Sequence, residues 1–100
     1  MIKHIIMFKF TDVKSETDKL EKCKRMKATF EPLRDQIDVI KSYTVGINSK
    51  HISFSYDIAI TSEYKSWSDL DAYINHPLHQ EAIKKCSDIK KEKAVVDYEF

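Results

Sequence analysis

One hundred residues with 42% hydrophobic content describe a single domain near the lower size at which a core sustains itself. The formal net charge is +1, and lysines and arginines alternate with acids along the chain, which argues against nucleic-acid and anionic-membrane partners. No apolar run reaches the roughly 18 residues of a membrane span, and no signal-peptide plan opens the chain, so a cytoplasmic protein is expected.

Residues Ile2 to Phe10 alternate in two registers. Ile2, His4, Ile6, Phe8 and Phe10 share one face; Ile5 and Met7 share the other with Lys3 and Lys9, as in a strand covered on both sides for part of its length. Ser15 with Asp18 resembles a capping box and predicts a helix start. Leu20, Cys23, Met26 or Lys27, Phe30 and Leu33 recur at helical spacing with charges on the flanks, so this stripe faces the core. Pro32 predicts that the helix ends near Thr29 or Phe30, with Glu31 to Gln36 irregular.

The β-branched and aromatic run from Ile37 to Ile47 reads as a second strand, in which Gly46 suggests a bulge or a close backbone approach. Alternation from Ile52 to Ile60 predicts a third strand, hairpinned to the second. Ser66 to Asp69 is another capping-box-like start, with Leu70, Tyr73 and Ile74 inward and Trp67 a packing residue at the helix start. Pro77 then stops that helix near Tyr73 to Asn75 and opens a new one carrying His79, Ala82, Ile83 and Cys86. Lysines 84, 85, 90 and 91 suit its C-terminal end. Ala94 to Phe100 is a last strand, with Val96 and Tyr98 on one face and Val95 and Asp97 on the other.

The order β-α-β-β-α-α-β is a split βαβ plan: an α+β, ferredoxin-like domain with a four-stranded antiparallel sheet and helices on one side. The bare sheet face would then carry Ile5, Met7, Val45, Ile47, Ala59 and Val95, and a second copy of the sheet is the economical cover, giving a two-fold homodimer. Cys23 and Cys86 have neither zinc spacing nor the density of a disulfide scaffold and read as reduced thiols.

The densest chemistry is Tyr73-Ile74-Asn75-His76-Pro77-Leu78-His79, whose corner brings a phenol and an imidazole within reach of each other. A neutral His79 suits a general base and Tyr73 a donor to an enolate or carbonyl oxygen, with His4 on the inward face of the first strand able to orient either. The architectural alternative makes His76 a helix-end residue and His79 an imidazole bonded to Tyr73 or to backbone. His4, His76 and His79 lack a carboxylate at ligand spacing, so neither a metal nor any other cofactor is expected.

Taken together, Ile2-Lys3-His4-Ile5-Ile6 with Phe8-Lys9-Phe10, Gly46 before Asn48, Asp57-Ile58, Trp67 to Leu70, the Tyr73 to His79 run and Val96-Asp97-Tyr98 resemble the stress-responsive A/B barrel (Dabb) family over the whole chain. The resemblance implies a dimeric ferredoxin-like barrel with a small-molecule pocket between sheet and helices, in a family most of whose members have no assigned reaction. Its best-understood enzyme is a plant cyclase that closes polyketides by cofactor-free aldol chemistry. That enzyme's catalytic tyrosine and histidine match Tyr73 and His79, and a pocket histidine matches His4. Ile6, Phe8, Cys23, Met26 and Ile58 are the candidate ligand-binding residues. Three of them, Cys23, Met26 and Ile58, differ from an aromatic-lined polyketide tunnel, and the charged Glu31 to Gln36 stretch departs as well, so the resemblance does not carry the substrate.

Overall fold

A nine-residue strand, β1 (Ile2–Phe10), runs through the middle of the sheet, and its alternation sorts the molecule into an inner and an outer side. The computed structural model describes residues Met1–Phe100, with β1 followed by α1 (Glu16–Phe30), α2 (Leu33–Gln36), β2 (Ser42–Ile47), β3 (Ile58–Tyr64), α3 (Trp67–Ile74), α4 (Pro77–Lys85) and β4 (Lys91–Glu99). The strands lie in the order β2-β3-β1-β4, all neighbours antiparallel, so the first and last strands meet beside the β2–β3 pair as the split βαβ plan requires.

Local chemistry sets the helix boundaries. Ser15 accepts a hydrogen bond from the Asp18 amide at 3.0 Å and opens α1, while the Asp18 carboxylate turns to the Lys14 amide rather than completing a capping box. Cys23, Met26 and Phe30 are the buried positions of α1; Leu20, at the edge of the stripe, is exposed. Residues 33–36, expected to be irregular, instead form a helical turn after Pro32, and this turn seats Leu33 and Ile37 in the core. A turn this short escapes the 3.6-residue periodicity by which longer helices are recognised.

Both strand boundaries of the predicted hairpin move toward the C-terminus. β2 starts at Ser42, because Ile37, Val39 and Ile40 are anchored by packing on the core rather than by a ladder. β3 runs Ile58–Tyr64, not Ile52 to Ile60. Residues 52 to 55 form a turn, with the Ser55 amide donating to the Ile52 carbonyl at 3.1 Å and the Ile52 amide to the Ser55 hydroxyl at 3.1 Å. Phe54, inside the span that alternation assigns to the third strand, is 77% exposed. The alternation of Phe54 and Tyr56 happens to be in phase with Ile58 and Ile60, so the period-2 pattern extends past the true strand start. At the other end Ser62 points inward and hides the continuation, its buried hydroxyl satisfied by the Tyr64 hydroxyl at 3.0 Å.

Register decides the faces. Val45 pairs with Ile60, Ile47 with Ile58 and Val95 with Ile6, and all three lie on the helix side, correcting their placement on the outer face. The outer face carries Ile5, Met7, Ala59, Ala94, Val96 and Tyr98, with Val96 56% exposed. Gly46 pairs regularly with Ala59, so β2 has no bulge, and apart from its own chain neighbours no atom lies within 4 Å of where its Cβ would stand.

Candidate functional site

The helices do not cover the sheet evenly. α1 packs over β2 and α3 over β1 and β3, with α4 against the other helices, whereas the helix side of β4 stays largely open, leaving a cavity of about 550 Å³ between β1, β4 and the helices α1, α3 and α4. Its volume is that of small-molecule sites, about 300–1,000 Å³. Ile6, Phe8, Met26, Phe30, Ile74 and Val95 give it apolar walls, and His4, Tyr73, His79, Gln80, Lys91, Lys93 and Asp97 supply the polar groups.

The corner at Pro77 builds one wall. α3 ends at Ile74; His76 is the N-cap of α4, accepting the Leu78 amide on its Nδ1 at 3.1 Å, and Pro77 occupies the first turn, where its missing N–H costs nothing. One turn on, His79 donates from Nδ1 to the Ile74 carbonyl at 2.9 Å. A carbonyl can only accept, so this bond fixes the tautomer: the proton sits on Nδ1, and the neutral ring carries its lone pair on Nε2. That Nε2 has no partner in the protein, and no buried side-chain nitrogen or oxygen is left without one, so Nε2 is accessible. Burial, chiefly, depresses the His79 pKa below its ordinary 6.5; the carbonyl bond opposes this, and His4 and His76 add to it.

Tyr73 stacks on His79 with ring centroids 4.3 Å apart and planes tilted by 40°. The two side chains share no hydrogen bond; the Tyr73 hydroxyl bonds to Tyr43 instead, at 2.9 Å. Burial drives the pKa of both phenols upward, and Tyr64 beside them likewise, so all three remain donors at neutral pH. When Tyr43 donates to Tyr73, the Tyr73 proton is free for a third oxygen.

His4 faces Tyr73 edge-on at 6.4 Å, and its Nδ1 bonds to the Asp97 carboxylate across the β1–β4 ladder, where the two residues are direct partners. This is the carboxylate that sequence spacing could not supply. Asp97, Tyr43, Gln80, Lys91 and Lys93 are polar residues that sequence reasoning did not place at the site. That Asp97 and Val95 share a face was legible, but the sequence reading set that face outward, and turning it inward beside His4 needed the register, as did bringing Tyr43 to Tyr73. No group of three or more His, Cys, Asp or Glu side chains is arranged to hold a metal ion.

Of the candidate residues, His4, Tyr73, His79, Ile6, Phe8 and Met26 are brought together around the cavity, and Cys23 and Ile58 are not. Cys23 points toward the other end of α1, where its Sγ lies 3.7 Å from the Asp57 carbonyl oxygen, and burial with the Asp57 charge pushes its thiol up to about 11. Ile58 is core, 2% exposed. Trp67 is 45% exposed at the start of α3 and donates its indole N–H to Glu99 at 2.9 Å, well away from the cavity.

Comparison with solved structures finds the same fold repeatedly. A dimeric protein of unknown function with a ferredoxin-like fold from Bacteroides fragilis is 35% identical, covers 99% of this chain and 95% of its own, and superposes with a TM-score of 0.86. The hydroxynitrile lyase of Passiflora edulis is 16% identical over 97% of this chain and 90% of its own (TM-score 0.76), and a Dabb family protein from Mesorhizobium loti 14% identical over 99% and 95% (TM-score 0.75). At those two identities the likeness shows the fold alone. Comparison with curated proteins finds no match. The family model of the stress responsive A/B barrel domain matches residues 2–100, and this chain therefore belongs to that family.

Proposed function

We propose that the protein binds a small, mostly apolar carbonyl compound in the 550 Å³ cavity and moves a proton on it without a cofactor, working as a homodimer joined through the outer sheet face. The observation that carries this reading is the His79 ring: its tautomer is fixed by the Ile74 carbonyl, its charged form is disfavoured, and its unshared pair is accessible in a cavity with apolar walls. A base of that kind takes a proton from the carbon next to a carbonyl. The C–H electron pair becomes the enolate double bond, the carbonyl pair moves onto oxygen, and the Tyr73 hydroxyl donates to that oxygen while Tyr43 supports it from behind. The imidazolium then returns the proton to carbon, or to a leaving group if a bond to carbon has broken, which makes a lyase or a cyclase of the same machinery. His4, held by Asp97 and edge-on to Tyr73, orients the substrate oxygen. A lyase on this fold, in Passiflora edulis, is consistent with the fold housing an enzyme. The dimer reading is supported by the dimeric state of the Bacteroides fragilis relative and by the apolar outer face.

Because the substrate is defined here by class, the test follows the elementary step. Phenylacetone in D₂O exchanges its α-protons slowly in buffer; the protein should accelerate this, and His79→Gln should remove about a hundredfold or more of the acceleration, as loss of a general base does. Tyr73→Phe should lower the rate further than it lowers affinity. Equal exchange rates for wild type and His79→Gln would retire the proton-transfer step.

A further inference from the structure

The polar groups of the cavity divide into those already committed and those left over. Lys91 directs its ammonium to the Cys86 carbonyl at 3.0 Å and the Ile89 carbonyl at 2.9 Å, closing off the end of the segment that follows α4. Gln80 donates to the Ile74 carbonyl at 2.7 Å, and Asp97 is held by His4. What remains is the Nε2 atom of each imidazole, His4 and His79, at one end, and the Lys93 ammonium, with no ion pair and no hydrogen bond, at the other. Lys93 and Asp97 are two inward positions apart on β4, roughly 13 Å at about 3.3 Å per residue, and Val95 between them offers a bare apolar wall, 46% exposed.

We propose that the cavity selects a carboxylate-bearing ligand: an elongated apolar acid whose carbonyl end meets the imidazoles and whose carboxylate meets Lys93. This rests on the functional reading above and names its substrate class. An uncommitted cation at the rim of an apolar slot attracts an anion, and Asp97, the one acidic side chain in the lining, is occupied by His4 and stands at the opposite end, so the rim presents net positive charge. The spacing sets the length: a two- or three-carbon acid reaches one end only, a medium-chain acid both.

Calorimetric titration with decanoate and, separately, with decanol tests this at low ionic strength, with the His79 ring resonances reporting that binding is in the cavity. Wild type should bind decanoate more tightly than decanol. Lys93→Gln should weaken decanoate about fivefold, as expected for a partly solvated ion pair, leave decanol unchanged, and be rescued by Lys93→Arg. If Lys93→Gln leaves the decanoate-to-decanol ratio unchanged, or if decanoate does not bind, the carboxylate assignment is overturned. Phenylacetone is uncharged, so its exchange reports on the proton-transfer reading whatever happens to the acid.

Discussion

Protonation of His79 couples the candidate base to folding. Its folded pKa is depressed, by burial first, so between that value and the ordinary 6.5 the unfolded chain holds the proton more tightly than the fold does. The stability His79 contributes is therefore complete above about pH 6.5 and is lost progressively as the pH falls through its folded value. Melting temperature plotted against pH should decline on the acid side, and His79→Gln should flatten that limb relative to wild type. His4 and His76 are unchanged in the variant, so the difference between the two curves isolates His79. A parallel pair of curves would mean that the ring is as easily charged in the fold as in the open chain. The same residue shows how far sequence reasoning reaches. Tyr73 and His79 come from one local run, and their proximity follows from a proline-broken helix pair. That they stack rather than share a hydrogen bond, and that Tyr43 takes the phenol, depends on the β2 register thirty positions upstream, which no local pattern encodes.

At the level of elements, the α3–α4 corner is held by a histidine used as a cap. The His76 ring accepts the Leu78 amide, and an alanine there leaves that first-turn donor to water. His76→Ala should cost about 1 kcal/mol, or some 4–8 °C in melting temperature for a domain this small. His76→Asp, a standard cap, should restore it. If both variants melt like wild type, the corner is held by Pro77 and packing alone. Long, strongly patterned elements were legible: β1, the start and end of α1, and the Pro77 break all followed from alternation, caps and proline chemistry. The β2–β3 connection was not, because Phe54 and Tyr56 carry a strand-like rhythm through a turn held by Ser55, and Ser62 interrupts the pattern inside a real strand.

For the whole molecule, the outer face carries the proposed assembly. Met7 lies on it beside Ala59 and Ala94, whereas Val45 is core. Met7→Asp should dissociate the proposed dimer, read by sedimentation at micromolar concentration, and leave a folded but less stable monomer. Val45→Asp should instead abolish folding, since an unpaired carboxylate beside Ile60 has no compensation. A Met7→Asp protein that still sediments as a dimer would move the interface elsewhere. The open helix side of β4 points the same way about scale: a domain with only one well-covered face gains from what docks to it, in the proposal a second copy on the outside and a ligand within.

Gly46 offers a way to weigh a neighbour without seeing it. Within one chain a methyl group there touches nothing, so Gly46→Ala in an isolated protomer should slightly stabilise the fold by narrowing the choices of the unfolded strand. If a partner's backbone passes over that spot, the same methyl intrudes and the effect changes sign. Denaturant melts of Gly46→Ala at high dilution and at high concentration would then bend in opposite directions relative to wild type. A single atom group becomes a gauge of how closely two sheets approach, and a gain of similar size at both concentrations would place the crossing point of the pair away from β2.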